Sequence, residues 1–122
     1  MITGAHILLY SQNSEADRAF FRDILQLRSV DAGGGWLIFK LPPAEAALHP
    51  DDGELKPGQH QLPTQFYLMC DNLPSLIKSF EAKKVSFTPI AQERWGTRTT
   101  IKLPSGGEIG LYQPSHPTAL NL

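Results

Sequence analysis

The apolar positions of this chain change period several times, and each change marks an element. Residues 5–10 (Ala-His-Ile-Leu-Leu-Tyr) are an apolar run short enough for a strand. Ser14-Glu-Ala-Asp17 then offers a capping-box opening to a helix. Ala16, Phe20 and Ile24 follow at i, i+4 spacing with Phe21 and Leu25 beside them, which makes one apolar helix face. Gln26 to Asp31 leads into Gly33-Gly34-Gly35, a turn, and a strand over Trp36–Leu41 that Pro42-Pro43 breaks before another over Ala44–His49.

The same order returns. Gln65–Met69 reads as a strand, and Asp71 or Asn72 caps a helix with Pro74 in its first turn, where a missing N–H costs nothing. Leu73, Leu76, Ile77 and Phe80 supply that helix's buried face. Val85–Thr88, Arg98–Leu103 and Glu108–Gln113 are expected strands, with Ser105-Gly106-Gly107 as a hairpin turn. The pairs His6/Gln65, Asn13/Asn72, Phe21/Phe80 and Trp36/Trp95 are all 59 positions apart. Lys40-Leu41-Pro42 comes back as Lys102-Leu103-Pro104, and Glu45–Pro50 aligns with Glu108–Gln113. The chain is therefore read as two βαβββ modules, about 4–50 and 64–114, in one α+β domain spanning 1–122. The Pro- and Gly-rich stretch of about 51–63 is the linker, a tether or a lid.

Strand side chains alternate between faces. Ile7, Leu9, Ala46, Leu48, Phe66, Leu68, Cys70, Ile109 and Leu111 form a uniformly apolar set suited to lie beneath the helices. The complementary set mixes His6, Leu8, Tyr10, Glu45, His49, Gln65, Tyr67, Met69, Glu108 and Tyr112 with the small Ala47 and Gly110. A face of that kind suits a small-molecule cleft, where apolar walls bury the ligand and a few polar groups orient it. Cys70, on the helix side, reads as a core residue and not a nucleophile.

Composition narrows the classes. At 122 residues the chain can bury a core without disulfides, and its single cysteine permits none within the chain. Eleven Lys plus Arg against twelve Asp plus Glu leave no electrostatic footprint for nucleic acid or an anionic membrane, and a net charge of −1 gives little protection against self-association. No apolar run approaches the roughly 18 residues of a membrane span, and Met1-Ile2-Thr3-Gly4 does not open a signal peptide, so a soluble cytoplasmic protein is expected.

His6-Ile-Leu-Leu-Tyr10 followed by Ala19-Phe20-Phe21-Arg22-Asp23-Ile24-Leu25 resembles the opening strand and helix of the glyoxalase/bleomycin-resistance/extradiol-dioxygenase (vicinal oxygen chelate) superfamily. Trp95-Gly96-x-Arg98 and Leu103-Pro104-Ser105-Gly106-Gly107-Glu108-Ile109-x-Leu111 resemble its closing signature. The resemblance implies two curved mixed sheets around a cleft, and in many members a divalent ion held from the first and fourth strand of each module. Carried over, the first-strand positions are His6 and Gln65, both competent ligands, while the fourth-strand positions, normally acidic or His, fall on Ala47 and Gly110. His49 is a replacement candidate roughly 7 Å along the strand from Ala47. Glu45 and Glu108 lie as far the other way.

The expected protein is thus a homodimeric small-molecule binder similar to the bleomycin-resistance branch, without the standard metal, its ligand met by Trp36, Tyr67, Trp95, Arg98 and Tyr112. One alternative is a divergent lyase or extradiol-type dioxygenase holding Zn, Ni, Mn or Fe through His6, Gln65 and His49. Another is a vestigial structural or regulatory module. Gly33-Gly34-Gly35 lacks the spacing of a phosphate loop, and His60 and His116 are expected to face solvent.

Overall fold

The computed structural model describes residues 1–51, 53–54, 57–58 and 61–122, so His60 and the linker positions Asp52, Leu55, Lys56 and Gln59 lie outside the described residues. Two helices, α1 (Ser14–Asp23) and α2 (Leu73–Ala82), sit 59 positions apart at both ends, the offset of the repeat. Each begins on an asparagine. Asn13 accepts from the Ala16 N–H and Asn72 from the Ser75 N–H, which satisfies a donor that the first turn leaves orphaned. The α1 cap is therefore one residue earlier than the expected Ser14, and Asp17 does not reach back to close a capping box.

The described strands are β1 (Ser29–Asp31), β2 (Leu37–Phe39), β3 (Tyr67–Met69), β4 (Ala91–Glu93), β5 (Gly96–Lys102) and β6 (Glu108–Pro114). β1 and β2 form an antiparallel pair, and the other four make a mixed sheet in the order β3-β6-β5-β4. The class is α+β, as expected. Two expected strands are absent: residues 5–10 and 44–49 lie outside every described ladder, with His6 to Tyr10 exposed. Alternation marks a side-chain pattern, whereas a ladder also needs a partner backbone at the right register. Val85–Thr88 is reduced to one bridge, Phe87 with Ile101, and β4 is a strand that the pattern did not announce.

The chain divides into two compact units whose limits are not those of the modules. The first comprises Met1–Lys40 and Lys102–Glu108. Phe20, Phe21 and Leu103 are buried there, and the Phe21 ring meets Phe39 at 5.4 Å. The β1–β2 hairpin turns through Gly33, Gly34 and Gly35, all at positive φ, with the Asp31 carboxylate accepting from the Gly33 and Gly35 N–H groups. That run of left-handed backbone is the reason for three glycines.

Asp17 is the buried polar centre of this unit, only 7% exposed. Its carboxylate accepts from Ser11 Oγ (2.7 Å), Ser105 Oγ (2.7 Å) and the Ser105 N–H (3.0 Å), tying α1 to the 102–108 segment. Burial alone would raise its pKa, but the bonds from Ser11 and Ser105 outweigh that and lower it.

The second unit comprises Leu41–Ile101 and Ile109–Leu122. Its core is Leu73, Ile77 and Phe80 from α2 with Val85, Ile101, Ile109 and Leu111. The start of α2 is held to β6 by a bond from the Leu73 N–H to the Gln113 side-chain carbonyl, 2.8 Å. Among the described residues, no helix is long and apolar enough to cross a membrane.

Replacing Asp17 with Ala strands the partly buried donors of Ser11 and Ser105, and we expect a loss of about 1–2 kcal/mol in urea unfolding. Because the folded-state pKa is lowered, this contribution is full above the ordinary carboxylate value, about 3.9, and is lost as pH falls through the folded value. Asp17→Ala should therefore flatten the fall in stability below about pH 4. Equal acid sensitivity in both proteins would refute the assignment.

Candidate functional site

β3 and β6 run parallel with Tyr67 opposite Gly110 and Met69 opposite Tyr112. Alternation puts these four on one face of the sheet and Leu68, Ile109 and Leu111 on the other. The apolar face is the buried one, with Ile109 and Leu111 at 5% and 1% exposure. On the opposite face the Tyr67 ring lies directly on the Gly110 backbone, and a Cβ at Gly110 would run into the ring. Only a glycine leaves room for this approach.

Trp95 is brought to the same place by the end of β6. Its carbonyl accepts from the Ser115 N–H (2.9 Å), and Ser115 Oγ donates to the Arg94 carbonyl (3.2 Å). Gly96 next to it has a positive φ, and a side chain there would meet the Gln113 carbonyl. The result is a three-ring cluster. Centroids are 6.0 Å apart for Tyr67–Trp95, 5.5 Å for Tyr67–Tyr112 and 5.0 Å for Trp95–Tyr112, at interplanar angles of 76°, 87° and 81°. Each pair takes the edge-to-face arrangement that the ring quadrupole favours. Trp95 remains 37% exposed, so the cluster is open to solvent.

The polar atoms around the rings have assignable roles. His116 Nδ1 lies 2.7 Å from the Pro117 carbonyl, which can only accept, so Nδ1 carries the proton. In the neutral ring Nε2 is then an acceptor, and the Tyr112 hydroxyl donates to it across 3.2 Å. Burial, then the charge of Glu45, then Tyr67 push the Tyr112 phenol above its usual value, so it keeps its proton. The Tyr67 hydroxyl donates to the Gln65 side-chain carbonyl, 3.3 Å. Burial likewise pushes the Cys70 thiol up, and its sulfur donates to the Tyr112 carbonyl at 3.6 Å, so Cys70 holds its proton as a partly buried packing residue.

Of the expected ligand-contacting residues, Tyr67, Trp95 and Tyr112 come together. Arg98 lies on β5 and is taken by Glu93, Nε to Oε1 at 3.1 Å. Trp36 belongs to the first unit, where the Arg18 guanidinium lies 4.9 Å from its ring centre. His116, expected to face solvent, is partly buried and bonded to Tyr112; its place in a Pro-rich tail hid that role.

The expected metal ligands are exposed. His6 lies outside any ladder, and His49, also outside one, has Nδ1 2.9 Å from the Pro50 carbonyl. No group of three or more His, Cys, Asp or Glu among the described residues is placed to hold an ion. What the second unit contributes does not fit a metal held in the superfamily's manner. Gly110 has no donor and the Tyr67 ring stands over it, while the Gln65 carbonyl already accepts from Tyr67.

No protein-family model matches this chain, and no curated protein matches it. Solved structures do. A lactoylglutathione lyase from Agrobacterium tumefaciens superposes with a TM-score of 0.62 at 18% identity, over 91% of this chain and 92% of that one. The antibiotic-binding protein TnmS3 from Streptomyces sp. CB03234 gives 0.59 at 18% identity, over 94% and 100%. A glyoxylase/bleomycin resistance protein/dioxygenase domain from Frankia sp. EAN1pec gives 0.57 at 14%, over 93% and 99%. The fold of the chain is therefore the vicinal oxygen chelate fold.

If the ring lies on the glycine as described, Gly110→Ala should cost about 1–3 kcal/mol by overpacking. The same change made in a Tyr67→Ala background should cost much less, and a double-mutant cycle reads the difference. Additive effects would contradict the contact.

Proposed function

We propose that this protein binds a small organic molecule on the face formed by Tyr67, Trp95 and Tyr112, without the superfamily's usual catalytic metal. The observation that carries this reading is the perpendicular ring cluster left open at Trp95. Aromatic walls with a few polar groups at their edge, here the Tyr112–His116 pair and Gln65, are the make-up of a small-ligand site. The glycine beneath Tyr67 supports the metal-free half of the reading, since the acid that would ligate an ion or move a proton is missing from it. The likeness to an antibiotic-binding protein is in keeping with sequestration.

A screen of metabolites and aromatic antibiotics should yield compounds that raise the melting temperature, because a ligand that prefers the native state must stabilise it. Trp95→Ala and Tyr112→Ala should each abolish that rise. A screen with no stabilising compound would defeat the proposal. So would a stoichiometric Zn, Ni, Mn or Fe ion retained through dialysis by the wild type and lost from His6→Ala.

The reading includes a homodimer. Ile7, Leu8, Leu9 and Tyr10 form an exposed apolar run outside any described strand, Leu8 being 64% exposed, and the net charge of −1 opposes association only weakly. Light scattering should give twice the chain mass, with Leu8→Glu shifting the protein toward monomer. A monomeric wild type at tens of micromolar would overturn the dimer.

A further inference from the structure

The stretch Met1–Ser14 carries no Lys, Arg, Asp or Glu. Within it, residues 5–10 make no backbone hydrogen bond among the described residues, and Ile7, Leu8, Leu9 and Tyr10 are all exposed. Apolar side chains therefore stand on both sides of a segment whose N–H and C=O groups are free to pair. Natural strand edges are guarded against pairing by charges, prolines or bulges, and this segment has no charge and no proline.

The β1–β2 hairpin lies in the same compact unit and has the opposite need. A two-stranded sheet is marginal in water until more strands or a helix pack with it. Here α1 reaches one face, where Phe21 meets Phe39, while Val30 and Ile38 lie opposite each other on the other face and are exposed. The Lys40 N–H donates to the Arg28 carbonyl and the Ala32 N–H to the Trp36 carbonyl, so the even-numbered pairs turn their backbone groups inward. Leu37 and Phe39 then turn theirs outward along β2, where no strand is paired with them among the described residues. This edge suits an apolar strand, because its three residues are Leu37, Ile38 and Phe39. The β1 edge would set Ser29 and Asp31 beside it instead.

Every copy of the chain carries both the free strand and the open edge. Two copies can satisfy each other reciprocally, and the arrangement closes at two. A foreign peptide on β2 would leave residues 5–10 uncovered, and pairing of residues 5–10 with themselves would leave β2 open. We propose that residues 5–10 of each copy add as a third strand to the β2 edge of a second copy. This inference rests on the homodimer reading above and specifies which surfaces make it.

Hydrogen exchange read by mass spectrometry tests it on the wild-type protein, at tens of micromolar and again after dilution to the monomer. Amides of residues 5–10, Leu37 and Phe39 should exchange at least about tenfold more slowly in the concentrated sample. Cross-linking identifies the partner surface. Copies with Leu8→Cys and isotopically labelled copies with Ile38→Cys, each also carrying Cys70→Ser, are mixed and oxidised. Disulfides should join labelled to unlabelled chains, since Leu8 comes level with Ile38 when the two segments are centred on each other. Links only between like copies would overturn the exchange. A dimer whose 5–10 amides exchange equally fast at both concentrations would overturn it too, and would leave the dimer reading standing. A wild type that is monomeric at tens of micromolar would overturn both.

Discussion

The aromatic site depends on an aromatic side chain lying against bare backbone. Two parallel strands bring Tyr67 level with Gly110, and the ring settles where any other residue would carry a Cβ. From that seat it meets both Trp95 and Tyr112 edge-on. A second close approach, Gly96 against the Gln113 carbonyl, lets the 94–96 segment come down on the end of β6 and carries Trp95 with it. The floor and one wall of the site are thus allowed by the lack of a side chain at two positions. Gly110 itself offers no donor, and the space above it is filled by the hydrocarbon of the Tyr67 ring.

Much of the architecture was legible in the amino-acid order, for reasons that differ by element. The helices were the clearest because their signals are local: a capping asparagine, an i, i+4 apolar face and a break, all within one short window. The repeat then fixed their spacing. Strands were harder. Residues 5–10 have a good strand composition but no described ladder, whereas Ala91-Gln-Glu93 has a poor one and pairs with Gly96–Arg98 all the same. Propensity in a strand is mainly a record of what it packs beside, which lies elsewhere in the chain.

The site was legible in part. Phase along β3 and β6 correctly set Tyr67, Met69, Gly110 and Tyr112 on one face, because a period of two survives wherever the ladder forms. The vacancy at Gly110 was visible, but its cause was not, since a ring pressed on a glycine is a contact between distant segments. His116 was missed as a member of the site for a related reason: it comes from the tail after β6, which has no regular secondary structure and so no periodicity to assign a direction.

Asp17 joins parts of the chain that are made at very different times. Its partner Ser105 lies 88 residues further on, and the first compact unit is closed only by the Lys102–Glu108 segment. During synthesis, α1 and the β1–β2 hairpin leave the ribosome long before the groups that complete their core. For most of translation the emerging chain carries Phe20 and Phe21 without their final cover, together with a carboxylate still in water. The Asp17–Ser105 contact cannot form until Ser105 has been made, and such a sequence-distant closure is slow by its topology. A nascent protein of this design has a long interval in which a holdase chaperone would find apolar surface to shield.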